Sequence, residues 1–212
     1  MREYQIRLRT IDSKKIYLDP QEEDGFYLYP GEIRKHGLKD GMILSEELVR
    51  QLHEEYAVPR AKKRALGLLA KKDLTESELL TKLQASHHDE RSIAAAMAFV
   101  TEHGYIDDEA YARDYIYFHK GRKSHRQMRE ALLHKGVSGT ITDMVLEEEG
   151  EQPLEEIRPL VEKYAGRFPE LDYQAEQKIC MHFGRKGYRI SRIKEIVEEI
   201  REQSLDFYKK KD

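Results

Sequence analysis

Two hydrophobic periods divide the chain. In the first 58 residues apolar positions alternate with polar ones. Tyr4, Ile6 and Leu8 interleave with Gln5, Arg7 and Arg9, the period-2 signature of a half-buried strand. Lys15 to Leu18 is a second short run of β-formers, placed after the Asp12-Ser13 turn. Phe26 to Tyr29 is a third, set between the turn dipeptides Asp24-Gly25 and Pro30-Gly31. Together they predict a small antiparallel meander. Ser45 before Glu46 and Glu47 predicts a helix start, with the hydroxyl as N-cap and two acids at the positive end of the helix dipole. So small a sheet is unstable alone and is expected to pack on the Leu48/Leu52 face of that helix.

From Pro59 onward the period is helical. Thr75-Glu76-Ser77-Glu78 has the form of a capping box, in which the hydroxyl accepts from the N3 backbone and the N3 side chain reaches back. Ser124-His125-Arg126-Gln127 repeats the device 49 residues later. The apolar pair Leu79/Leu83 behind the first box is matched by Met128/Leu132 behind the second, each at i, i+4 on one face. A third, fainter copy has Ile179/Phe183, an expected start at Asp172, and Lys186-Gly187 in the place of Lys135-Gly136. Glycine there suits a left-handed position just past a helix end. The helices that follow carry Ile93/Met97, Ile141/Val145 and Ile193/Val197.

The expected fold is therefore mostly α: three tandem three-helix repeats in an elongated curved array, preceded by a small antiparallel β-sheet module with one helix. The expected boundaries are 1–58 for the module, 59–106, 107–149 and 150–205 for the repeats, and 206–212 for a tail. Gly104 closes one repeat and Asp107 caps the next, while Gly150 to Pro153 is a joint with Pro153 at N1. A three-helix unit of this size has a thin core, so stacking on a neighbour stabilises it. The module is expected to be separable, leaving 59–212 able to fold.

Composition agrees. Charged residues make up 36% of the 212 and hydrophobic ones 39%, with a mean hydropathy of -0.78, which suits short helices burying narrow stripes. The longest apolar run, Ile93 to Val100, is far short of the ~18 residues of a membrane span. The start of the chain lacks the apolar region of a signal peptide, and Cys180 is alone, so no intrachain disulfide forms. A cytoplasmic monomer is expected.

The net charge of -3 conceals segregation. Residues 119–136 carry Lys120, Arg122, Lys123, Arg126, Arg129 and Lys135 against Glu130 alone. Residues 185–194 carry Arg185, Lys186, Arg189, Arg192 and Lys194 with no acid, while Glu147-Glu148-Glu149 gathers acids elsewhere. Such patterning suits a surface that meets a charged partner. With Lys71 and Lys72, which end the first helix of the first repeat, the first of these sets and Arg185, Lys186, Arg189 and Arg192 are the candidate binding residues. The competing reading for Lys71, Lys72, Lys120 and Lys135 is stabilisation of helix C-termini, worth ~0.3–1 kcal/mol. Tyr111, Tyr115 and Phe118 follow i, i+4, i+7 and are expected in the core, leaving Tyr117 as the exposed ring.

Catalytic signals are lacking. No HExxH, CxxC or EF-hand spacing occurs, and neither a P-loop nor a GxGxxG loop. His87 and His88 are adjacent and diverge, Cys180 between Ile179 and Met181 reads as a small buried hydrophobe, and capping accounts for Asp107-Asp108. Neither an enzyme nor a cofactor is expected.

Three segments resemble the RecX family: Ala65 to Leu79, where basic residues precede a capped helix; Gly104-Tyr105-Ile106-Asp107-Asp108-Glu109-Ala110-Tyr111-Ala112; and Arg129 to Val137. The resemblance is strong over 60–148 and weaker over 150–205, and the N-terminal module is similar to an extension carried by some members. It implies tandem three-helix repeats and a non-enzymatic regulator. That regulator would lie in the groove of a RecA filament on single-stranded DNA and inhibit strand exchange, ATP hydrolysis and co-protease activity. Two other readings stay open. One is a direct nucleic-acid binder using the same basic face, which a sequence pI near 6.3 disfavours as the sole function. The other is a purely structural adaptor, which segregated charge disfavours.

Overall fold

The computed structural model describes residues 2–21 and 24–209, with residues 204–209 described by backbone only. Its contacts divide into two units, Met1–Asp107 and Asp108–Asp212.

The first unit opens with short strands. β1 (Glu3–Gln5) pairs antiparallel with β5 (Ile43–Ser45), placing Tyr4 opposite Leu44. β2 (Arg7–Thr10), β3 (Ile16–Asp19) and β4 (Phe26–Leu28) form the expected meander, with Leu8 opposite Leu18 and Leu18 opposite Phe26. The single strand expected over Tyr4 to Leu8 is thus two. The ladder breaks at buried Ile6, whose N–H donates to Met42 O at 2.9 Å and whose carbonyl accepts from Gly41 at 2.9 Å. Between β4 and β5 lies α1 (Pro30–Lys35), with Pro30 at its first position and the Glu32 carboxylate accepting from the Tyr29 N–H at 2.8 Å. Neither α1 nor β5 was expected from the sequence.

Ser45 caps α2 (Glu46–Leu52) as expected, accepting from the Leu48 N–H at 3.3 Å. Tyr4, Ile6, Leu18, Phe26, Leu28 and Leu44 bury against Val49 and Leu52, with Leu48 partly buried beside them. At the boundary expected after residue 58 the backbone is helical on both sides. α2 passes through a π-helical turn, His53–Ala57, directly into α3 (Val58–Leu69). Pro59 has no N–H to donate. The wider i→i+5 turn absorbs that break, and the Val58 N–H donates to His53 O. His53, 4% exposed, then ties this helix onward: its Nε2 lies 2.8 Å from Asp89 Oδ1 and 3.0 Å from Ser92 Oγ.

α3 is followed by α4 (Glu76–Gln84) and α5 (Glu90–Glu102), all three packed on one another around Ala61, Ala65, Leu74, Leu79, Leu83, Ala96 and Val100. Thr75 caps α4 through the Glu78 N–H at 3.1 Å, and Asp89 caps α5 through the Ser92 N–H at 2.8 Å.

The second unit holds two more groups of three. α6 (Asp108–His119), α7 (His125–His134) and α8 (Gly139–Glu149) bury Ala112, Ile116, Met128, Leu132, Val137 and Val145. α9 (Leu154–Ala165), α10 (Tyr173–Arg185) and α11 (Ile190–Lys209) bury Ile157, Val161, Ile179, Cys180, Phe183, Ile193 and Val197. The box at Ser124 is complete: Gln127 N–H donates to Ser124 Oγ at 3.2 Å, and Ser124 N–H to Gln127 Oε1 at 3.1 Å. Asp172 caps α10 as expected. Pro153 is the N-cap of α9 rather than its first residue. α11 extends to Lys209, into the expected tail; residues 210–212 lie outside the described residues.

Helix ends repeat with the starts. After α7, Gly136 (φ 87°) and Val137 donate to Leu133 O and Leu132 O at 3.0 and 3.1 Å. After α10, Gly187 (φ 93°) and Tyr188 donate to Gly184 O and Phe183 O at 3.0 and 3.1 Å. Both are Schellman motifs, with the apolar contact across them in place. The mostly helical fold with a small N-terminal antiparallel sheet is thus the expected one.

Candidate interaction surface

The α6–α7 loop, the face of α7 and the α10–α11 turn meet around one glycine. Gly187 lies so close to α7 that a Cβ there would sit 2.6 Å from the Arg126 Cβ. Beside it the Ser124 hydroxyl donates to the Lys186 carbonyl, and the Gln152 amide donates to Lys123 O at 2.8 Å. Two basic segments remote in sequence, Lys120–Arg126 and Lys186–Arg192, are thereby neighbours. The arrangement follows from the two end motifs: the cap frees the Ser124 hydroxyl proton, and the left-handed glycine exposes the carbonyl before it.

Most of these cations are engaged. Arg129 grips Asp143 with two bonds, Nε to Oδ1 at 2.6 Å and Nη2 to Oδ2 at 3.0 Å. That bidentate pair raises the guanidinium pKa and lowers the carboxyl pKa. Lys120 pairs with Glu149, and the hydrogen bond raises its pKa. Arg189 and Arg192 share Glu151. Arg126 has only a long contact to Glu130, 3.8 Å. Lys123 Nζ donates to the Tyr115 hydroxyl at 2.6 Å, and Lys135 and Lys186 sit over the rings of Tyr111 and Phe183. Arg122 and Arg185 are exposed, and no ion pair holds either among the described residues. In the first unit, Lys71 and Lys72 are likewise exposed in the turn after α3.

The aromatic expectation needs correction at one residue. Tyr111 and Tyr115 edge the core as expected, but Phe118 is 68% exposed, as is Tyr117. The buried line of α6 runs through Ala112 and Ile116, and Phe118 falls off it. Cys180 is buried, and desolvation raises its pKa, the opposite of an activated thiol. Among the described residues no group of three or more His, Cys, Asp or Glu side chains could hold a metal ion, and no helix is long and apolar enough to cross a membrane.

Sequence reading missed a second basic cluster. Lys15, Arg60, Lys63 and Arg64 line a cleft in the first unit together with Lys71. The signal was present in Arg60, Lys63 and Arg64, spaced for one helix face, but the segment lay next to the expected domain boundary.

No family model matches the chain. The chain is 31% identical over 135 residues to the "Regulatory protein RecX" of Vibrio campbellii, covering 63% of this chain and 86% of that one. It is 26% identical over 195 residues to the "Regulatory protein RecX" of Clostridium acetobutylicum, covering 89% and 90%. Among solved structures, a "Crystal structure of regulatory protein RecX" superposes with a TM-score of 0.60 at 21% identity, covering 92% of this chain and 99% of that one. RecX from Lactobacillus salivarius superposes with a TM-score of 0.61 at 23% identity, covering 68% and 96%. At these identities the superpositions speak for the fold.

Proposed function

The chain belongs to the RecX family, and from that premise we propose that it regulates the RecA recombinase by binding RecA filaments on single-stranded DNA. In this reading it is a cytoplasmic, monomeric regulator without cofactor or catalysis. Its three groups of three helices are tandem repeats, and its binding lowers strand exchange, ATP hydrolysis and co-protease activity. The observation that supports a binding surface in the second unit is the convergence at Gly187. There Arg126 packs against Gly187 and the Ser124 hydroxyl donates to the Lys186 carbonyl, and Arg122 and Arg185 are exposed on the adjoining stretches of chain.

Cations already held by a carboxylate have less to offer a partner, because a new anion must displace an existing one. Arg122 and Arg185 therefore make a sharper test than Arg129. Changing both to Glu should weaken co-sedimentation with RecA filaments at least tenfold, equivalent to ~1.4 kcal/mol, because like charges facing across an interface repel. The melting temperature should not move. Unchanged co-sedimentation would remove this surface from the account. A second reading, direct binding of single-stranded DNA by this unit, is favoured by Tyr117 and Phe118, two exposed rings on the helix that leads into the Arg122 loop. Their replacement by Ala should weaken binding to bare strands if that reading holds.

A further inference from the structure

We infer that the cleft between the N-terminal sheet and α3 is a second, independent binding site, for the phosphodiester backbone of single-stranded nucleic acid. The cleft has a volume of about 670 Å³ and is lined by Lys15, Arg60, Lys63, Arg64 and Lys71, with Tyr27, Tyr29, His87 and His88. No Asp or Glu is among its lining residues.

The site is built by two elements. Arg60, Arg64, Gly67 and Lys71 follow i, i+4, i+7, i+11, so they form one stripe along α3 and its end, away from the buried Ala61 and Ala65. Gly67 leaves the middle of the stripe open: a Cβ there would meet nothing within 4 Å. The opposite wall is the β3–β4 hairpin. Lys15 lies 4.8 Å from the centroid of the Tyr27 ring. Arg60 is the positioning residue: it pairs with Glu32, donates to Tyr27 O at 2.9 Å and stacks 4.1 Å from the centre of Tyr29. Its charge is therefore largely compensated. Lys63, Arg64 and Lys71 are exposed, and no ion pair holds them among the described residues.

Length and chemistry select the ligand. From Arg60 to Lys71 the stripe extends about 16 Å at the helical rise. Phosphates along one strand of a duplex recur every ~3.4 Å, so the stripe spans several of them, more than one phosphate group needs. The Tyr29 ring, 41% exposed beside the cations, offers a base a stacking surface that an acidic peptide would not use. This inference does not rest on RecA, and its test contains none.

The test uses the full chain and a fluorescent oligothymidylate of about twenty nucleotides, longer than a typical single-fold site. Lys63→Glu, Arg64→Glu and Lys71→Glu together should weaken binding at least tenfold. They should also flatten the dependence of log affinity on log salt by about 2, three lost contacts at ~0.7 each. The corresponding Gln triple variant, which reverses no charge, should show the same flattening with a smaller loss, and circular dichroism should report an unchanged helix content for both. Tyr29→Ala should weaken binding roughly fivefold or more for the oligonucleotide and leave binding of inorganic polyphosphate unchanged. Wild-type affinity and slope in both triple variants would overturn the inference, as would loss of strand binding in Arg122→Glu/Arg185→Glu alone. Displacement of the oligonucleotide by polyglutamate at equal charge would also overturn it, by making the cleft a receptor for acidic protein.

Discussion

The cations of the second unit mostly face carboxylates, whereas those along α3 in the first unit mostly do not. In the second unit the acids come from α8 and the joint after it. Asp143 holds Arg129, Glu148 holds Arg113, Glu149 holds Lys120, and Glu151 holds Arg189 and Arg192. Runs of acid and base that look segregated along the chain are therefore, in large part, each other's partners. Lys63, Arg64 and Lys71 sit in a stretch at least as basic, with six cations and no acid over residues 60–72, and their helix face looks onto a sheet edge that brings no acid to them. Charge along a sequence measures supply, and the packing of neighbouring elements decides what is left over for a partner.

The largest difference in response between the units should come from changing His53, inside the first. Asp89 is buried, and its carboxyl pKa is lowered: burial raises it, but hydrogen bonds from His53 and Ser92 outweigh that. His53→Ala removes one of those donors and should cost about 2–3 kcal/mol, seen as a lower unfolding midpoint. A fragment starting at residue 59 loses the same contact and should unfold its first three helices, with hydrogen exchange separating them from a protected second unit. Equal protection in both parts would instead support the separable module that the sequence suggests.

Acid should act in the same direction. A carboxyl with a lowered folded-state pKa contributes stability above its unfolded value, near 3.9, and loses it as pH falls through the folded value. The first unit should therefore weaken more below about pH 4 than the second, whose lowered carboxyls, Asp143 and Glu148, are exposed and screened. Equal acid loss by hydrogen exchange in the two units would contradict this.

Helix ends give a smaller contrast. Gly187→Ala meets both a left-handed backbone and the Arg126 Cβ, and should cost about 2 kcal/mol. His87, 49 positions before Gly136, holds the same left-handed place at φ 62° without being glycine. His87→Gly should therefore shift stability by under about 1 kcal/mol, since relief of strain is offset by a more flexible unfolded chain. A smaller effect still is expected of Asp143→Asn, which releases Arg129: an unchanged melting temperature with slightly tighter binding to single-stranded DNA.

Much of the helical fold was legible, because caps and i, i+4 pairs are local. Thr75, Ser124, Asp172, Gly136 and Gly187 do what their positions predict. Long-range pairings were not legible. β5 has three residues and exists through β1, some forty positions away, and the break at Ile6 depends on Gly41 and Met42. Pro59 looks like a boundary because a proline inside a helix is costly, and the π turn that accommodates it leaves no compositional trace. Phe118 fits an apolar stripe by spacing, but the helix is rotated so that Ala112 and Ile116 face inward. For the candidate surface, the sequence supplies the cations and omits their partners, which lie on other helices.

RecA-dependent ATP hydrolysis on single-stranded DNA tests the central claim most directly. With RecA from the same source organism, the rate should fall in a dose-dependent way as this protein is added, and Arg122→Glu/Arg185→Glu should require at least tenfold more protein for the same fall. A rate unchanged by wild-type protein past equimolar RecA would contradict the account.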